Sequence, residues 1–164
     1  MTPPTGVRVP ERPRPQRFWT VDEANARLES LRELLPKLQA WVVRLRAIHE
    51  ELGRLNGFWG VEADAADNPD RALKVRLETE WEQLTARLTA EVEALRREGI
   101  EIKDLNGGLV DFYTIRHGEV VHLCWRTGEE RIAFFHTLEG GFRNRQPLDA
   151  PNRGRAPPAR ERTS

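Results

Sequence analysis

From Val21 to Leu52, apolar side chains recur at alternating steps of three and four: Val21, Ala24, Leu28, Leu31, Leu35, Leu38, Val42, Leu45 and Leu52, with His49 in the one remaining place. Only an α-helix gathers such positions into one stripe. Sustained over this length, the pattern is that of a coiled-coil seam. A second row, Leu34, Trp41, Ile48 and Leu55, recurs every seven residues beside the first. The stripe is therefore wider than one partner helix covers. Thr20 followed three residues later by Glu23 forms a capping box, which predicts a helix start at Val21. Pro36 cannot donate to the carbonyl of Arg32, so a kink or a break is expected there. His49 is expected to sit in the seam, satisfied by a neighbouring side chain or water.

The cluster Asn56–Gly60 closes this helix, and Asn68–Pro69 carries the cap and first-turn residues of a second. Leu73, Leu77, Trp81, Leu84, Leu88, Val92 and Leu95 share one face of it, and Arg96, Arg97 and Gly99 end it. Two long helices joined by a short loop are expected to fold back as an antiparallel αα-hairpin over residues 20–98. Burying large apolar side chains at about 1.5–3 kcal/mol each drives that packing.

At Ile100 the apolar period changes from helical to two. Ile100–Lys103 alternates, Asp104–Gly108 is a turn cluster, Leu109–Tyr113 reads as a strand and Arg116–Gly118 as a turn. Glu119–Arg126 and Arg131–His136 are β-rich runs flanking Thr127–Glu130, a β-hairpin pattern. The predicted class is thus α+β: a long coiled-coil-like helical hairpin, then a small antiparallel sheet of three or four strands over residues 100–137. Such a sheet is too small to stand alone and must cover the helices with one face.

The last hairpin holds the chain's one Cys and two of its four His residues. Which of them meet depends on the parity of its loop, because a one-residue slip exchanges faces. An even loop sets Trp125 opposite Ile132, Leu123 opposite Phe134 and Val121 opposite His136, collecting the large apolar groups on one side. An odd loop places His122 and Cys124 on the side of Phe134 and His136. The apolar pattern favours the even loop, which separates His136 from His122 and Cys124.

The candidate functional cluster is Asp111, His122, Cys124, Trp125, Glu129 and His136, with Glu139 as a further carboxylate. Imidazole, thiolate and carboxylate suit a divalent transition metal, and His136, Asp111 and Glu139 are the first candidates to hold one. The paired short spacings of strong zinc motifs are missing. So are nucleophile-elbow, phosphate-loop and dinucleotide fingerprints.

The chain has 164 residues and no net charge, the length of one domain. Its ends are basic and rich in proline: residues 1–17 carry +3 and residues 143–164 carry +4, leaving the middle acidic. Residues 1–17 and 146–164 are expected to be disordered tails around a domain spanning 18–145. Arginine-rich tails can contact phosphates, but the acidic body makes nucleic acid an unlikely partner. No membrane-span or signal-peptide pattern is visible, so the expected compartment is the cytoplasm.

Three groups of residues carry a resemblance to a known family. The first is Phe18–Trp19–Thr20–Val21–Asp22–Glu23–Ala24–Asn25, with Leu35–Pro36. The second is Ile100–Asp104 and Gly108–Leu109–Val110–Asp111–Phe112. The third is Leu123–Cys124–Trp125–Arg126, Gly128–Glu129, Ile132–Ala133–Phe134–Phe135–His136 and Gly141–Phe142. Together they resemble the bacterial and archaeal family DUF2203 over about residues 18–148. The resemblance implies no activity. The expectation from the residues is a small non-enzymatic interaction or structural protein, self-associating as a homodimer through the first helix. The alternatives are a metal-binding protein or metal-dependent enzyme centred on His136 and Asp111, and weak nucleic-acid association through the tails.

Overall fold

A computed structural model of the chain describes residue 15 and residues 17–149. The expected tails fall largely outside them. The order is helix α1 (Val21–Trp59), a 3-10 turn (Gly60–Glu62), helix α2 (Arg71–Arg97), then strands β1 (Ile100–Asp104), β2 (Leu109–Arg116), β3 (Glu119–Arg126), β4 (Phe134–Thr137) and β5 (Gln146–Pro147). The protein is α+β, with every strand antiparallel to its neighbour in the order β1-β2-β3-β4-β5. No described helix is long and apolar enough to cross a membrane.

Helix α1 begins at the predicted residue. Thr20 Oγ1 accepts from the Glu23 backbone N–H, and the Glu23 carboxylate accepts from that of Thr20. The helix passes Pro36 without a break; that residue lies on the exposed side, where its lost hydrogen bond leaves a carbonyl to water. Asn68 does not cap α2. Its side chain instead ties the preceding loop, donating to Glu62 and Ala63 carbonyls and accepting from Asp70 N–H, and the helix starts two residues later than the sequence suggests. His49 is exposed beside the Trp81 ring rather than enclosed in a seam.

The wide apolar stripe of α1 is divided between two clusters. Leu28, Leu31 and Leu35 pack with Leu95 of α2 and with the sheet residues Ile100, Val110, Phe112, Leu123 and Trp125. Farther along, the second row takes over: Ile48 and Leu55 pack on Leu77, with Leu73, Trp81 and Leu84 around them. Trp19 joins the first cluster. It donates from Nε1 to the Glu98 carbonyl at 2.6 Å, meets Phe112 edge-on, and bonds through its backbone to Tyr113.

Two expectations for the sheet are corrected. It has five strands rather than three or four, because Gln146 and Pro147, assigned to the tail, pair with Phe135 and Phe134. The β3–β4 register is also the odd one: His122 opposes His136, Leu123 opposes Phe135, and Cys124 opposes Phe134. Ile132 explains the difference. Its sequence setting is that of a strand residue, yet it lies before β4, buried in the core, with its N–H held by Asn25 Oδ1 of α1. Phe135, not Phe134, then joins the apolar face against the helices.

Candidate functional site

Partners across a ladder share a face. Ile100, Ile102, Val110, Phe112, Leu123 and Trp125 thus form the helix side. The other side carries Glu101, Asp111, Tyr113, His122, Cys124, Phe134 and His136. Three neighbouring strands contribute one ligand-type residue each: Asp111 from β2, His122 from β3 and His136 from β4. Their donor atoms all lie within 4.8 Å of one another. All three are closed off from solvent, at 1%, 0% and 2% exposure.

His136 Nε2 is 3.0 Å from Asp111 Oδ2, and His122 Nδ1 is 3.6 Å from the same oxygen. The two imidazole rings stand 5.2 Å apart at 76°. His136 Nδ1 lies 2.7 Å from the Thr137 carbonyl, which can only accept, so Nδ1 carries the hydrogen. Nε2 then confronts the carboxylate either as a second N–H or as a lone pair. Two lone pairs cannot face each other at that distance without a cation between them, whether proton or metal. Burial pushes the Asp111 carboxyl above the usual range, opposed by the charge and hydrogen bond of His136. Asp111 Oδ1 is fully enclosed and makes no hydrogen bond of ordinary geometry among the described residues.

Around the cluster, Tyr113 presents its ring edge-on to His122 at 4.5 Å and donates from its hydroxyl to Glu101 at 2.5 Å. Burial raises the Glu101 carboxyl, but hydrogen bonds from Lys103 and Tyr113 outweigh it and hold the group below its ordinary value. Cys124 stands directly opposite Asp111 in the β2–β3 ladder. Burial, then the Asp111 charge, push its thiol up to about 12. Arg145 opposes that rise; its guanidinium pairs with Glu129 at 2.6 Å and stacks 4.2 Å from each of the Phe134 and Phe142 rings.

Of the residues singled out from the sequence, Asp111, His122 and His136 therefore converge, and Cys124 borders them. The expectation that His136 would be separated from His122 fails with the even register. Glu129 is outside the cluster: one carboxylate oxygen caps the Arg126 N–H and the other takes Arg145. Trp125 is on the helix side, donating to the Glu129 carbonyl. Glu139 lies exposed in the turn after β4, and is no part of the group either. Tyr113 was missed, although strand alternation from Asp111 placed it on this face. Arg145 carried no local signal, since its segment reads as a tail.

A family model described as an uncharacterized conserved protein, DUF2203, matches residues 17–148. The chain belongs to the DUF2203 family. The matched span holds both helices, all five strands and the whole cluster. No curated protein and no solved structure matches the chain. Function in this DUF2203 protein therefore has to be argued from the cluster itself.

Proposed function

We propose that this protein binds a divalent transition-metal ion on Asp111, His122 and His136. The observation that carries the reading is the convergence of two imidazoles and a carboxylate, from three adjacent strands, inside a dry part of the molecule. A buried charged carboxylate needs a counter-charge, and the enclosed Oδ1 atom leaves that need incompletely met. Two imidazoles with one carboxylate suit zinc and ferrous iron, with cobalt, nickel and manganese as neighbours in preference. The Thr137 carbonyl supports the reading, because it fixes the His136 tautomer that offers Nε2 to an ion. The test is equilibrium dialysis against zinc, iron(II), cobalt and manganese, with thermal unfolding alongside. A bound ion at about a hundred times its Kd stabilises the fold by about 2.7 kcal/mol. His122→Ala and His136→Ala should each abolish stoichiometric binding. Absence of both stoichiometric metal and any rise in Tm in the wild type refutes the proposal.

A second reading is self-association through the helix pair, taken as an antiparallel, coiled-coil-like hairpin. Two helices alone leave Trp41, Leu45, Leu84 and Leu88 half-exposed, with Val43 at 66% and Val75 at 46% exposure. A second copy would complete a four-helix arrangement around these residues. Light scattering on a sizing column tests it, and a monomer at high concentration removes it.

A further inference from the structure

We propose that the cavity between the start of α1 and the C-terminal end of β2 binds a small monocarboxylate with an apolar body, whose carboxylate is taken by Arg116 and Thr114. The cavity has a volume of about 320 Å³ and is lined by both residues. That size is within the range of pockets that hold small organic ligands. Thr114 and Arg116 alternate along β2 with Tyr113 and Ile115, so they share the helix side of the sheet with Phe112. Asp111, His122 and His136 are on the opposite face. The cavity is thus separate from the metal cluster, and neither proposal depends on the other.

The ligand class follows from what the lining offers. Trp19, Val21 and Leu123 supply apolar wall. Phe18 and Ile115 belong to the same lining and remain exposed, which leaves apolar surface for a ligand to cover. Thr114 is only 8% exposed, and its hydroxyl makes no hydrogen bond among the described residues. Its oxygen is not sealed off as Asp111 Oδ1 is, so it opens onto the cavity. A hydroxyl so enclosed costs free energy until it finds a partner. Arg116 carries five N–H donors. Nη2 donates to the Leu148 carbonyl at 2.9 Å, and the guanidinium lies 4.6 Å over the Phe135 ring. These contacts fix the group without neutralising it. Glu119, its ladder partner, is exposed and makes no ion pair with it, nor does any other carboxylate among the described residues. Arg17, at the same end of α1, is already within 3.6 Å of Glu23. A carboxylate matches the parallel donors of a guanidinium, and it can also accept from the Thr114 hydroxyl.

The experiment is an amide-resolved NMR titration of the full chain with phenylacetate and, separately, with phenylacetamide, its uncharged analogue. Phenylacetate should shift the resonances of residues 18–21 and 114–116 saturably. Phenylacetamide should bind at least about 10-fold more weakly, as expected when a hydrogen bond to a charged group is lost. Arg116→Gln, which keeps most of the stem, and Thr114→Val, which keeps the shape, should each weaken phenylacetate binding by about 10-fold or more. Urea unfolding of each variant is the folding control; if Arg116→Gln does not fold, Thr114→Val and the amide comparison decide. Three results overturn the proposal: no saturable shift at these residues with millimolar phenylacetate, equal affinity for the acid and the amide, or wild-type affinity in the folded variants.

Discussion

Raising the pH from 8 to 10.5 should weaken the chelator-treated protein through Cys124. The thiol's ordinary value is 9.0 and its value in the fold is about 12. Between those two values the unfolded chain releases this proton and the folded chain keeps it. The folded state then binds more protons, and stability falls as pH rises. The full contribution is present below pH 9 and drains away toward pH 12. At pH 10.5, one and a half units into the window, the loss is about 2 kcal/mol, taking about 1.4 kcal/mol per unit. Lysines and tyrosine titrate in the same range, so the quantity to measure is a difference. Urea unfolding of wild type and Cys124→Ala at pH 8 and 10.5 isolates it. Wild type should lose about 2 kcal/mol more than the variant across that interval. The same burial predicts that a thiol reagent labels native Cys124 only through unfolding. Equal losses in the two proteins, or labelling at the rate of a free cysteine at pH 9, would show that the thiol is neither enclosed nor opposed by Asp111.

Three further outcomes follow from the packing. Leu31 is wholly enclosed where α1 meets the sheet, so Leu31→Ala should cost about 2–5 kcal/mol in urea unfolding. Thr20→Ala removes one half of the capping box and should cost about 1 kcal/mol, with little change in far-ultraviolet circular dichroism. Gly99 has φ +73°, and a Cβ there would run into the Arg17 carbonyl. Gly99→Ala should therefore lose more than the roughly 1–2 kcal/mol of a left-handed alanine alone, and a melt that matches wild type would contradict the described path of residues 17–19.

The helices were legible because their signals are local and periodic. The capping box at Thr20 and Glu23 and the leucine rows of α1 needed no knowledge of partners. How those rows are used was not legible. The sheet takes Leu28, Leu31 and Leu35, α2 takes Ile48 and Leu55, and the exchange happens at a position the heptad spacing does not mark. The site was half visible. Asp111, His122 and His136 stood out by residue type, yet their meeting depends on ladder parity. That parity turned on Ile132, which fills the core from outside the strand its composition suggests. Apolar content favours the arrangement that stacks the most large side chains. Here one of them reaches the core by another route, which frees the register that brings the histidines together. The fifth strand was hidden because two residues, one a proline, give no period to detect.

The distal apolar cluster, built on Ile48, Leu55 and Leu77, contains no residue of the sheet. All three proposed ligands come from the sheet, between Asp111 and His136. The two groups share no residue, so the site has no direct stake in how Ile48, Leu55 and Leu77 are packed. Volume-conserving changes in that cluster should leave the convergence of Asp111, His122 and His136 as it is.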